Sequence, residues 1–313
     1  MRIFKILAAV FFAMIAAMPA FAEYPEKPVT LVVGFRAGGG SDTAARILAA
    51  EMEAKLGQKI IVENRGGAGG AVATQYIRQQ PADGYTIGFA VATTFAYTPL
   101  TGRVDFTPAD VDFVATTHGY RTVFVAPKDA PYDDFAGMIA TAKDRGWLNY
   151  ASIIPLDRAI IQYIGRKEEI AVNIVPTRGG AGARQAVLGG HVDLAFSGSN
   201  AIPMYEDGAL KVMAALNPEG IAEHESIPTL SKLGYNVAAN EAAVFFGPKG
   251  MDADARAKLE GALAEAVKSE AFKDFVNNKF RGFETFKTGP ETLASIEKDV
   301  EAYKELLEAL KEE

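Results

Sequence analysis

Two α/β units forming the halves of one clamp are predicted by three observations. Strand-like and helix-like segments alternate in two separate rounds along the chain, and three of the strand-to-helix junctions are rich in glycine. Two of those junctions carry the same string, RGGAG, at Arg65–Gly69 and Arg178–Gly182, on opposite halves of the sequence. Such loops leave backbone N–H groups free at helix N-termini, where the helix dipole adds partial positive charge, so each is a seat for a carboxylate or phosphate. Matching anion seats on two halves imply a clamp.

The first round runs from Val29 to Ala90. Val29–Gly34 reads as a buried strand; Thr43–Leu56 puts Ala44, Leu48, Met52 and Leu56 in one i, i+4 row and stops at Gly57; Lys59–Glu63 is a second strand. Ala71–Gln80 reads as a helix, Pro81-Ala82-Asp83-Gly84 as a turn and Tyr85–Ala90 as a third strand. This order implies parallel pairing with right-handed crossovers. Ligands of such sheets lie beyond the carboxyl ends of the strands, where FRAGGGSD (35–42) and NRGGAGG (64–70) fall.

The second round has strands at Thr122–Ala126, Leu148–Ser152, Ala171–Val175 and Val192–Phe196, with helices at Phe135–Arg145, Leu156–Gly165 and Ala183–Leu188. Lys211–Leu216 and Ala242–Phe246 are further strands, followed by helices at Asp252–Ser269, Glu270–Asn277 and Glu291–Leu310 that pack back on the first unit. The expected bounds are 23–123 with 245–313 for the first domain and 124–244 for the second. Two crossings, near 120–125 and 239–246, then make a hinge.

Arg2 and Lys5, the apolar run Ile6–Met18 and the small-x-small Ala20-Phe21-Ala22 form the pattern of a secretory signal peptide over residues 1–22, with the mature chain starting at Glu23. Its apolar run is too short for an ordinary membrane span. The net charge of −7 becomes −9 when Arg2 and Lys5 leave, which offers no attraction to nucleic acid or anionic membrane surfaces. Cysteine is absent, so the exported chain stands without disulfides on the strength of its core. A bacterial periplasm fits these features.

In order, Tyr24-Pro25-x-Lys27-Pro28, FRAGGGSD, G-Q-x-I-x-V-E-N-R-x-G-A-G-G at 57–70, PADGYT at 81–86, LNYAS at 148–152, GGAGA at 179–183 and LGGHVDLAF at 188–196 give a sequence that resembles the tricarboxylate-transporter substrate-binding proteins, the TctC or Bug family of periplasmic receptors. The resemblance covers essentially the whole mature chain. It implies a two-domain type II periplasmic binding protein, a Venus flytrap with parallel-rich sheets flanked by helices. Such a protein is a periplasmic monomer that closes on one small organic carboxylate and hands it to membrane permease subunits of a tripartite transporter, with no catalysis, cofactor or metal.

The resemblance also implies that Ala37, Gly39, Gly40 and Ser41, with Gly67, Ala68 and Gly69, grip one carboxylate through backbone N–H groups and water. The chemistry agrees, since glycine permits close approach and each N–H on a carboxylate is charge-assisted. Thr93 and Thr94 add hydroxyls from the same rim. Ser41 or Asp42 suits a helix N-cap, a role that fits Asp42 better than contact with an anion. The second domain offers Ser152, Gly179, Gly180, Ala181, Ser197 and Arg178, which either forks a carboxylate or is solvated; Arg65 ties its loop or the domains in place.

Two departures from the family pattern stand out. Arg36 replaces a small residue or proline, and is expected to pair with a ligand carboxylate, the alternative being that it turns to solvent. Ile153-Ile154-Pro155-Leu156-Asp157-Arg158 replaces a Gly/Ser-rich loop, so Ile153 and Ile154 are expected to form an apolar wall with Arg158 as the nearby charge, favouring acids with a hydrocarbon or aromatic body.

A nucleotide-binding enzyme is disfavoured because the G-x-G-x-x-G spacing and a P-loop lysine are missing. A hydrolase is disfavoured because His118, His191 and His224 are scattered and no G-x-S-x-G elbow occurs. A sensor that shows its closed form to a kinase keeps the fold and remains the alternative partner assignment.

Overall fold

β-Branched and aromatic runs build the strands of two sheets. The computed structural model describes residues 24–177 and 179–311, so the expected signal peptide with its cleavage site, Glu23 and Arg178 lie outside the described residues. The strands are β1 (Val29–Val33), β2 (Ile60–Asn64), β3 (Thr86–Val91), β4 (Val111–Gly119), β5 (Val123–Pro127), β6 (Trp147–Ser152), β7 (Ala171–Pro176), β8 (Leu194–Ser197), β9 (Leu210–Ala215), β10 (Ala242–Pro248) and β11 (Phe283–Thr288). The first sheet has the order β11-β4-β10-β3-β1-β2 and the second β7-β6-β8-β5-β9.

Both sheets are mixed instead of parallel-rich. β1 is parallel to β2 and β3, and β6 to β7 and β8, as the strand-helix alternation requires. The pairs β10–β3, β10–β4, β11–β4, β5–β8 and β5–β9 are antiparallel. The reason is the crossing itself: β4 carries the chain out of the first sheet and β10 brings it back beside β4 in the opposite direction. Val123 pairs with Ser197 in the second sheet and Ala242 with Gly119 in the first, so the chain leaves the first sheet after Gly119, and it returns at Ala242 after the Ala239 N–H has donated to Leu216 O on the second lobe.

The first helix, α1 (Gly40–Leu56), buries Ala44, Ala45, Leu48, Ala49 and Met52 against the sheet and ends at Gly57, whose N–H donates to Glu53 O at 2.9 Å. Full burial of Leu48 or Met52 contributes about 1.5–3 kcal/mol each. The other helices are α2 (Ala71–Ile77), α3 (Ala92–Ala96), α4 (Phe135–Arg145), α5 (Pro155–Lys167), α6 (Gly179–Leu188), α7 (Ala201–Glu206), α8 (Ala253–Ala266), α9 (Glu270–Asp274) and α10 (Gly289–Ala309). α8 packs on α1 and β4, and α10 on β4 and α3, which returns the C-terminal third to the first lobe.

The crossing segments lie side by side. Tyr120 N–H donates to Glu241 O at 2.9 Å and Thr122 Oγ1 to Ala239 O at 3.0 Å. Behind them α10 touches α5 of the second lobe. At the cleft's edge Arg281 of the first lobe pairs with Glu206 at the end of α7.

Candidate functional site

A cleft of about 420 Å³ lies between the lobes, within the range of small-molecule sites. The first lobe contributes Phe35, Gly40, Ser41, Gly69, Val91, Thr93, Tyr97 and Thr98, with Phe275, Lys279 and Phe280 from its C-terminal part. The crossings contribute Tyr120, Thr122 and Glu241. The second lobe contributes Ile153, Ile154, Pro155, Leu156, Gly180, Arg184, Phe196, Gly198, Ser199 and Asn200.

On the first lobe, the loop at Gly67–Gly70 is built from left-handed backbone, with φ of 151°, 47°, 65° and 97° at Gly67, Ala68, Gly69 and Gly70. The three glycines tolerate these values without the Cβ clash, while Ala68 adopts its left-handed φ despite its Cβ. Thr94 Oγ1 donates to Gly69 O at 2.6 Å and pins the loop, so Thr94 is buried support. Only Gly69 of Gly67, Ala68 and Gly69 reaches the cleft; Gly67 and Ala68 are exposed elsewhere. Arg65 stacks on Tyr76, 3.8 Å from the ring centroid, and pairs with Glu63, holding its own loop.

In the preceding loop, Gly40 and Ser41 line the cleft, and Ser41 Oγ is 2.9 Å from Tyr120 Oη. Arg36, Ala37 and Gly39 are exposed and off the lining; Phe35, one residue earlier, takes the inward position that was expected of Arg36. Asp42 is structural, as its repulsion of an anion implied. Its carboxylate accepts the Gly38 N–H at 2.9 Å and bonds Arg46 and Asn64, with Gly39 as the N-cap.

On the second lobe, Ile153 and Ile154 form the expected apolar wall. Their amides are not free: both donate to Asp157 Oδ2 at 2.8 Å, so this loop gives the cleft no N–H from either. Burial pushes the Asp157 carboxyl up to about 6, against the lowering effect of those amides. Arg158 is half-buried on α5 and off the lining. Ser152 and Ser197 are buried behind the surface, Ser197 Oγ without a partner among the described residues. Gly180 lines the cleft, Ala181 is exposed, Gly179 opens α6, and Arg178 is outside the described residues.

Two charged groups that sequence reasoning missed face the cleft. Arg184 lies one helical turn after Gly180, and its Nη1 sits 3.2 Å from where a Gly180 Cβ would be, beside Ile153. It makes no ion pair or hydrogen bond with any described residue, and burial lowers its pKa, though a guanidinium stays charged. The i, i+4 relation to Gly180 was the available signal. Glu241 is buried at the crossing, accepts a 2.6 Å hydrogen bond from Thr93 Oγ1, and is pushed up to about 7 by burial. An acid opening the apolar run of β10 was its signal. Phe35, Tyr97, Tyr120, Phe196, Phe275 and Phe280 give the cleft an aromatic lining that the glycine motifs did not announce. The other lining cation, Lys279, pairs with Asp274 at 2.8 Å.

With this geometry in place, a profile described as "Tripartite tricarboxylate transporter family receptor" matches residues 44–311. The chain is 31% identical over 267 residues to "UPF0065 protein in gbd 5'region" of Cupriavidus necator, across 83% of this chain and 81% of that protein. Among solved structures it shares its fold with MatC of Rhodopseudomonas palustris with bound malate, at 23% identity and TM-score 0.78, covering 91% of this chain and 100% of that one. A second R. palustris protein, solved with adipate, is 20% identical with TM-score 0.78 over 92% and 98% of the two chains. Among the described residues no helix is long and apolar enough to cross a membrane.

Proposed function

This chain belongs to the tripartite tricarboxylate transporter receptor family, and from that premise we propose that it is a periplasmic solute-binding protein that captures a small organic carboxylate between its lobes and delivers it to membrane permease subunits. The protein binds and releases its ligand unchanged. The observation that carries this reading is Arg184: a half-buried cation with no counter-charge among the described residues, on the wall of a largely apolar cleft. Taking a charge out of water without a partner is costly, and an incoming carboxylate offsets that cost. Neighbours of the same fold hold malate and adipate, two small carboxylates. Gly40, Ser41 and Gly69 face Arg184's lobe from the other side and supply the polar part of a grip that tightens as the lobes approach.

The wall of Ile153 and Ile154 selects for a hydrocarbon or aromatic body, because hydroxyl groups placed there lose water without gaining a donor. Titration calorimetry of the mature protein with mono- and dicarboxylates tests the reading. One site per chain is expected. Arg184→Gln weakens binding by about ten- to a hundredfold, the worth of a charge-assisted hydrogen bond. Unchanged affinity in that variant overturns the assignment of Arg184, and no binding by any carboxylate overturns the function.

A further inference from the structure

Glu241 has no part in holding a carboxylate, yet it faces the cleft. Its Oε1 accepts from Thr93, and its Oε2 has no hydrogen-bond partner among the described residues. No lysine or arginine among the described residues pairs with it. The groups that act on it from the neighbouring elements are Asp299 and Tyr303 of α10, Asp157 of α5 and Tyr120 at the end of β4, all of them acids. Among the described residues the cleft therefore carries one unpaired cation, Arg184, on the second lobe, and one unpaired carboxyl, Glu241, at the crossing. The two do not bond each other, and apolar surface lies around them.

We propose that Glu241 reads the end of the ligand opposite its carboxylate, so that the protein selects acids whose apolar body carries an N–H or O–H donor, an ammonium above all. This rests on the reading of the cleft as a carboxylate site. A ligand with its carboxylate at Arg184 and its body along Ile153 and the rings presents its far end to Oε2. A donor there completes the hydrogen bonding of an acceptor that the cleft leaves to solvent. A methyl end strips water from Oε2 and returns nothing, and a second carboxylate meets like charge with no cation beside Glu241 to relieve it. Because burial places Glu241 near neutrality, an ammonium acid binds its ionised form and releases protons at pH 7, whereas a diacid binds its protonated form and takes protons up.

The test is calorimetry on the mature protein with matched straight-chain alkanoates, α,ω-diacids and ω-amino acids of four, six and eight carbons. Each is run in two buffers of different ionisation heat at pH 7, which reports linked protons in the unmodified protein. At the length that fits, the ω-amino acid is expected to bind about ten- to a hundredfold tighter than the alkanoate and to release protons, while the diacid takes them up. Glu241→Gln removes both the preference and the proton linkage. Binding of alkanoate and amino acid with equal affinity, or tightest binding of a diacid without proton uptake, overturns the proposal and leaves the carboxylate site intact. Binding by none of the three classes overturns both.

Discussion

At 65–69 the string RGGAG becomes a loop of left-handed backbone, whereas at 178–182 the same residues, from Gly179 on, enter the regular helix α6. The neighbours of the two strings differ. After the first comes Gly70, wedged where a Cβ would lie 2.8 Å from Thr94 Oγ1, and Gly34 packs against Gly70 in turn, at 3.0 Å from its own Cβ position to Gly70 Cα. After the second come Ala183 and Arg184, both good helix formers. Tertiary packing bends the first copy and local propensity straightens the second. The consequence is chemical: the first lobe presents Gly69 of its loop to the cleft, and the second presents Arg184.

The same substitution in each copy separates these accounts most strongly. Gly70→Ala adds a Cβ at φ 97° and against Thr94, so stability should fall by roughly 2–5 kcal/mol in urea unfolding. Gly180→Ala sits in a helix, gains up to about 1 kcal/mol of propensity, and meets only the far end of the Arg184 side chain, Nη1, at 3.2 Å. It should leave stability level or higher while weakening ligand binding through a displaced guanidinium. Equal destabilisation by both would mean that the two copies differ less than their backbones suggest.

The lobes also differ in the aspartate that anchors a second cleft loop on each, Asp42 for the loop before α1 and Asp157 for the loop before α5. Against the effect of burial, Arg46, the Gly38 amide and Asn64 hold Asp42 below its ordinary range, so its contribution is present at neutral pH and fades as pH falls through its folded value. Asp157 has amide donors and no ion pair among the described residues, and burial raises it to about 6. Its contribution is complete below the unfolded value near 4 and is lost as pH rises through 6. Between pH 4 and 8 this amounts to on the order of 2–3 kcal/mol, favouring mild acid. Glu241, raised to about 7, acts in the same direction. Asp157→Asn should flatten the stability profile over that window, while Asp42→Asn should lower stability at pH 7. Equal flattening by both would remove the distinction.

How much of this the sequence carried depends on whether the cause was local. The strands and helices from Val29 to Ala90 were legible because each buries one periodic face, and Phe135–Arg145 matched residue for residue. β4 was not foreseen, because Thr116, Thr117 and His118 make its second half look polar. Thr116 bonds Thr292 and Thr117 bonds His118 Nδ1 inside the sheet, while His118 Nε2 is buried without a partner among the described residues, and only the fold reveals that. β11 is a half-exposed edge strand with weak alternation, for the same reason invisible. At the site, Gly40, Ser41, Gly69, Thr93, Ile153, Ile154 and Gly180 were expected on the cleft and line it. Arg184 and Glu241 were missed, since a single charge in an apolar stretch declares its partner, or the lack of one, only in three dimensions.

Arg36 gives the smallest expected effect and the sharpest contrast with Arg184. Both arginines belong to a glycine-rich junction, one on each lobe. Arg36 is exposed and off the cleft lining, and Phe35 occupies the inward position beside it. An exposed charge in water contributes little to a contact it does not make, and salt screens it over about 10 Å. Arg36→Ala should therefore change ligand affinity by less than about twofold, with at most a slower association rate at low salt, where a rim cation still steers an anion. Stopped-flow binding at two ionic strengths measures both. A tenfold loss of affinity would mean that the loop rotates on binding and exchanges Phe35 for Arg36 over the ligand, in which case Phe35→Ala should raise affinity by clearing the way.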